Sequence, residues 1–258
     1  MFDSVTHLTL GEHFNQNVNT LPNSITHLTL GWDFNLSVDA LPANLKHLKL
    51  GARFNQKIDN LPSTITHLTI TGNFNQAIDL LPAALTKLLI IGDFDHPVDK
   101  LPAGLTSLAL YGMFNQSVDN LPASLTHLEL GQEFNKSVDN LPAALKQLTL
   151  GELFDKSVDR LPAGLTHLTF GASFNKSIAR LPAGLTHLAF GTQFDQPIDF
   201  LPASITHLSF GCMFNQSLNK LPTALTHLGF GSCSNRNISI PPSIKVFKLR
   251  SCCGWRGI

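Results

Sequence analysis

Nine histidines recur at one place in this chain: His7, His27, His47, His67, His127, His167, His187, His207 and His227. Most neighbours are 20 residues apart. If each unit contributes one rung of a sheet, adjacent imidazoles lie one strand spacing apart, about 4.8 Å. Rings that close could chelate zinc or nickel, but built zinc sites need ligands that converge and a second shell that orients them. A flat row of rings with no acid or cysteine at a fixed offset supplies only weak sites, so no metal and no cofactor is assigned. Oxygen ligands also recur. Asn15, Asn35, Asn55, Asn75, Asn115, Asn135, Asn175, Asn215 and Asn235 alternate with Asp95, Asp155 and Asp195, and a second acid column runs from Asp39 to Asp159 with Asp199. Calcium repeats use several acids per turn, which these columns lack. The first column reads as a ladder of amides serving backbone groups where the chain leaves a strand. The second reads as an acid accepting a local backbone N–H in a turn. No Ser-His-Asp set, phosphate loop or convergent acid pair is present, and the chain reads as a non-enzyme.

The elements that hold these columns follow from the period. The unit L-P-x-x-L-x-x-L-x-L-G-x-x-F-N-x-x-V-D-x repeats without insertion through residues 1–240 as twelve 20-residue units, and a truncated unit with a C-terminal cap occupies 241–258. Internal repetition at this length signals a solenoid. Within a unit, Leu125 to Leu130 alternate, so Leu128 and Leu130 face a core while His127 and Glu129 face outward. One unit cannot close a core. Stacked copies bury one another's Leu, Phe and Val columns, and Phe14 through Phe214 form an unbroken spine of rings. Proline two residues into each unit keeps the return segment extended or turn-like. The expected fold is a β-rich solenoid, a leucine-rich-repeat-like right-handed coil with a parallel concave sheet, forming a single repeat domain over 1–258. The histidine column lies on the concave face.

L-x-x-L-x-L followed by Asn is the leucine-rich-repeat signature. The combination L-P-x-x-L-T-H-L-x-x-G-x-x-F-N-x-x-(V/I) closely resembles the FNIP repeat, a leucine-rich-repeat relative of amoebae and giant DNA viruses, and covers essentially the whole chain. The resemblance implies a parallel-β solenoid that binds other macromolecules. In members that carry an F-box it implies a substrate receptor of ubiquitin ligases. This chain enters its first repeat by Val5, and an F-box is not expected within it.

Net charge is zero and charged residues make up 14%, so no nucleic-acid partner is expected. No signal peptide or apolar run of membrane-spanning length is evident, and no membrane association is expected. Sequons such as Asn35-Leu-Ser and Asn115-Gln-Ser follow phenylalanines expected to be buried, where a glycan would not fit, which points to the cytoplasm. Cys212, Cys233, Cys252 and Cys253 all lie in the last quarter and are expected as reduced thiols around Trp255.

Function is sought where the repeat breaks on its exposed face. In units four to six the glycine slips by one place, giving Thr71-Gly72, Ile91-Gly92 and Tyr111-Gly112, and Lys87 and Ser107 replace histidine. Lys87, Leu89, Ile91, Tyr111 and Met113 then form an exposed, largely apolar patch of the kind that marks interaction sites. Trp32, on a strand-exit loop, is a second candidate anchor. The expected function is a monomeric scaffold that holds a protein partner on the concave face. The alternative is a ligand-binding ladder for ice, carbohydrate or divalent metal along the Thr and His columns.

Overall fold

The computed structural model describes residues 4–231 and 242–250. The expectations for Cys233, Ser234, Asn235, Cys252, Cys253 and Trp255 fall outside those residues. The chain divides into two compact units, Met1–Gly131 and Gln132–Ile258. No helix occurs among the described residues, and none is therefore long and apolar enough to cross a membrane.

The first unit holds seven parallel strands in chain order: β1 (His7–Thr9), β2 (His27–Thr29), β3 (His47–Leu50), β4 (His67–Gly72), β5 (Lys87–Gly92), β6 (Ser107–Gly112) and β7 (His127–Leu130). The second holds β8 (Gln147–Leu150), β9 (His167–Phe170), β10 (His187–Ala189), β11 (His207–Phe210), β12 (His227–Gly231) and β13 (Val246–Arg250), likewise parallel and in order. Register is strictly one repeat: His27 pairs His47, and Leu28 pairs Leu48. Each unit is a β-solenoid with a 20-residue turn.

Alternation decides the faces as expected. On β7, Leu128 and Leu130 are buried while His127 and Glu129 are exposed. The return segment needs no helix because each proline carbonyl accepts the N–H three residues on, as Leu45 donates to Pro42 at 3.0 Å. The phenylalanine spine is present in both units: Phe54 is fully buried and its ring lies 6.2 Å from Phe34 and 6.1 Å from Phe74. A second aromatic column, not singled out from the sequence, fills the second unit. Phe170, Phe190 and Phe210 take the place of the strand leucine and stack on Phe174, Phe194 and Phe214 at 3.7–3.8 Å. The signal was legible in T-H-L-T-F, T-H-L-A-F and T-H-L-S-F.

The asparagine column is a ladder between rungs. Asn55 N–H donates to Asn35 Oδ1 at 2.9 Å, and Asn75 N–H donates to Asn55 Oδ1 at 2.9 Å. Only an acceptor oxygen is needed, so Asp95 and Asp155 substitute freely, accepting from Asn115 at 2.8 Å and Asn175 at 3.0 Å. The second acid column differs from expectation. The local N–H of Asp39 goes to Ser37 Oγ at 3.1 Å, and the Ser37 hydroxyl donates to the Asp39 carboxylate at 2.7 Å. A serine hydroxyl both donates and accepts, so it fits between a backbone donor and an acid. That leaves the second carboxylate oxygen for the next rung, where Asn60 Nδ2 donates to Asp39 at 3.2 Å.

Candidate functional site

Two tracts of exposed sheet face bring candidate residues together, and a third irregularity stands apart from them. The histidines form two stacks of four. In the first unit, His7, His27, His47 and His67 stack with ring centroids 4.0–4.2 Å apart. In the second, His167, His187, His207 and His227 stack at 3.9–4.1 Å. His127 stands on β7 beside Ser107.

Threonine fixes the tautomer of seven of these rings, His47 being preceded by Lys46. The Thr26 hydroxyl donates to Thr6 O at 3.2 Å and lies 2.9 Å from His27 Nδ1. It has one proton to give, so Nδ1 carries the hydrogen and donates to the hydroxyl oxygen. The same arrangement recurs at Thr66–His67, Thr126–His127 and Thr166–His167, and then at Thr186–His187, Thr206–His207 and Thr226–His227. Nε2 is left as a lone-pair acceptor on the solvent side. Because these hydroxyls are committed to the preceding rung and to a ring, they do not form a rank of free hydroxyls. The cofacial rings send their Nε2 lone pairs out side by side, not toward a common point. Among the described residues no group of three or more His, Cys, Asp or Glu is placed to hold a metal ion.

Packing lowers the proton affinity of five of these rings. His27, His47, His67 and His207 are held below the ordinary imidazole value, first because neighbouring rings shield them from water and second through positive neighbours. For His187 the same causes, burial and then His167, His207 and His227, lower the value to about 4. Burial is the larger cause, and repulsion from a neighbouring imidazole comes second at His27, His47 and His207.

The second tract is where the histidines stop. On β5 and β6 the structure pairs Lys87 with Ser107, Leu89 with Ala109 and Ile91 with Tyr111 on one face. Ile91 is 40% and Met113 53% exposed, with Leu89 and Tyr111 half-buried beside them. The displaced glycine makes this possible. Gly72, Gly92 and Gly112 take positive φ of 82°, 131° and 91°, a region that glycine enters freely, and β4–β6 run two residues longer than β3. The longer strands add a third outward rank, Thr71, Ile91 and Tyr111. Tyr111 donates its hydroxyl to Glu129 on β7, and burial, followed by that bond, raises its pKa. Sequence reasoning placed Tyr111 in the patch but missed Glu129, whose outward position two residues after His127 was the available signal.

Trp32 is 60% exposed on the turn after β2, next to Asp33, which His13 and Arg53 hold at 2.8 and 3.2 Å. Cys212 is disulfide-bonded, contrary to the expectation of a reduced thiol.

The FNIP Repeat family model matches five stretches: residues 17–53, 35–73, 54–94, 114–153 and 178–213. Among solved structures, the chain is similar to CroV588, described as a novel circular LRR protein, with 38% identity and a TM-score of 0.84 over 99% of this chain and 45% of that one. It also shares its fold with the functional domain of InlJ from Listeria monocytogenes, which includes a cysteine ladder, at 15% identity and a TM-score of 0.63, covering 88% and 53% of the two chains. YopM from Yersinia enterocolitica WA-314 matches at 19% identity and a TM-score of 0.58, covering 90% and 56%. The chain thus spans about half the length of each of these structures. No curated protein matches it.

Proposed function

For a chain that belongs to the FNIP repeat family, with a leucine-rich-repeat-like fold, we propose the role of a non-enzymatic scaffold that binds a protein partner on the exposed face of its sheet. Leucine-rich-repeat folds commonly serve protein–protein interaction. The observation that carries the reading here is the β5–β6 tract. Ile91 and Met113 are exposed beside Leu89 and Tyr111, with Lys87 at the rim, at the point where the polar histidine face gives way. An apolar centre holding a tyrosine, with charge at the edge, has the composition of an interaction hot spot. In its finer form the reading makes this face the substrate-recognition surface of a ubiquitin-ligase assembly, with the acting module supplied by another segment or another chain.

The test is partner capture by the double variant Tyr111→Ala, Ile91→Ser, chosen because both side chains lie on the outer face and neither belongs to the core. Affinity for a captured partner is expected to fall at least tenfold with the far-UV spectrum unchanged. Undiminished capture by a folded double variant would remove the β5–β6 tract from the function.

A further inference from the structure

The first unit's histidine stack is set in a charge distribution with no counterpart elsewhere on that unit. A shallow depression of about 140 Å³ opens over β2–β4, lined by His27, His47 and His67 with Lys49, Thr29 and Thr69. Lys46, one residue ahead of β3, acts electrostatically on His27 and His47, and Lys87 from β5 acts on His47 and His67. No residue of β1–β6 is an acid. On the turns that leave β1, β2 and β5 the acids are Glu12, Asp33 and Asp93, of which Asp33 is held by His13 and Arg53, and Glu129 on β7 accepts from Tyr111. The chain has 18 acids and 18 Lys and Arg, yet here cations gather without carboxylates.

We propose that the exposed face of β1–β5 docks an acidic peptide segment of the partner, with carboxylates seated over His27, His47 and His67 and against Lys46, Lys49 and Lys87. This rests on the scaffold reading above and names the chemistry of what the scaffold holds. The lysines supply attraction at any physiological pH. The histidines couple it to protons. With Nδ1 already donating to threonine at His27 and His67, the proton a ring takes up goes to Nε2, which turns from an acceptor into a charge-assisted donor aimed at the ligand, and no internal bond is broken. A carboxylate over the ring favours that proton, so binding and proton uptake reinforce each other, by up to about tenfold in affinity per pH unit for each proton taken up. A zero net charge and a face this small favour a short acidic segment over a nucleic acid, which would need a long basic track.

The experiment measures fluorescence anisotropy of a fluorescein-labelled hexa-aspartate peptide with the full chain at pH 7.5 and 5.5, beside a labelled single-stranded DNA of equal charge. Saturable peptide binding is expected, at least tenfold tighter at pH 5.5. Lys46→Gln, Lys49→Gln and Lys87→Gln together weaken it at least tenfold at both pH values. His27→Gln, His47→Gln and His67→Gln together abolish the gain at pH 5.5. Lys57→Gln with Lys156→Gln, away from this face, changes nothing. Lys49→Gln alone, with an expected loss of at least threefold, serves if the triple variant does not fold. Absence of saturable binding, equal loss in the Lys57 and Lys156 control, or DNA binding as tight as the peptide's would each overturn the proposal. Failure here with partner capture still dependent on Tyr111 sinks the acidic-segment inference alone. Peptide binding as expected, with capture indifferent to Tyr111 and Ile91, sinks the β5–β6 reading alone.

Discussion

A single methyl group at Gly51 tests how tightly the rungs are stacked. A Cβ built there would lie 2.0 Å from the carbonyl oxygen of Gly31 and 2.5 Å from its carbon, where real Cβ contacts essentially never fall below 3.0 Å. Relief therefore requires the two turns to part by about 1 Å. The bonds flanking this point, Leu30 N–H to Lys49 O and Arg53 N–H to Trp32 O, are both 2.9 Å. The same displacement would carry them well beyond hydrogen-bond range. Two bonds at about 1 kcal/mol each, together with the roughly 1–3 kcal/mol typical of overpacking, give a cost of about 3–5 kcal/mol for Gly51→Ala. The repeat supplies its own controls. At Gly11, the same column in the first rung, a Cβ meets nothing within 4 Å, and at Gly104 the nearest atom is Ala83 O at 3.7 Å. Gly11→Ala is expected to be neutral, and Gly104→Ala neutral or stabilising by up to about 1 kcal/mol through the unfolded chain. Urea unfolding followed by far-UV circular dichroism measures all three. If Gly51→Ala unfolds at the same urea concentration as Gly11→Ala, the close approach of the rungs is not what demands glycine.

Phe54→Ala removes a fully buried ring between Phe34 and Phe74 and is expected to cost about 3–5 kcal/mol in the same assay, whereas Phe200→Ala, at a side chain 72% exposed, should stay within about 0.5 kcal/mol. Asn55→Ala strips the acceptor used by Asn75 N–H and Gln76 Nε2 and should cost about 1–3 kcal/mol, while Asn55→Asp keeps the oxygen and should lose less than half as much. Acid should soften the fold. His27, His47, His67, His187 and His207 bind protons less readily folded than unfolded, so their stability is intact above about 6.5 and is lost as pH falls toward about 4, the value for His187. Replacing His167, His187, His207 and His227 with Gln should flatten that dependence, and a parent melting temperature unchanged between pH 7.5 and 5 would contradict it.

The columns were legible because period and alternation are one-dimensional facts. A 20-residue repeat with Leu at alternate positions dictates a strand, its inward face and its partner, and the structure has that register. What stacking does to chemistry was less legible. The sequence shows His27 above His47, but not that ring faces 4.1 Å apart shield one another more than their charges repel. The glycine column was visible, yet its reason lies between rungs, in a carbonyl 20 residues away. Gly72, Gly92 and Gly112 were visible as a one-place slip. That the slip lengthens three strands and lifts Ile91 and Tyr111 into a third outward rank depends on their positive φ, which no spacing rule predicts. Glu129 was missed because it sits in an ordinary repeat and matters only through the Tyr111 beside it.

The bonding pattern also explains where this scaffold is free to vary. Asn and Asp oxygens serve the next rung's N–H, threonine hydroxyls serve the previous rung's carbonyl, and glycine leaves room for a neighbouring backbone. Each is a contact between rungs, so a change at any of them is felt on two sides, as nearest-neighbour stability requires. The outward side chains of the strands carry fewer such duties, chiefly stacking where histidine follows histidine, with the Tyr111–Glu129 bond and the Thr71 hydroxyl on Leu50 O beside it. Breaking the stack at Lys87 and Ser107 forgoes the ring contacts of the pairs 67–87, 87–107 and 107–127 and leaves the Leu88, Ile90, Leu108 and Leu110 core in place. The exposed face is therefore where substitution is cheapest for the fold, and Lys87 and Ser107 are where the histidine column of the first unit departs from its pattern.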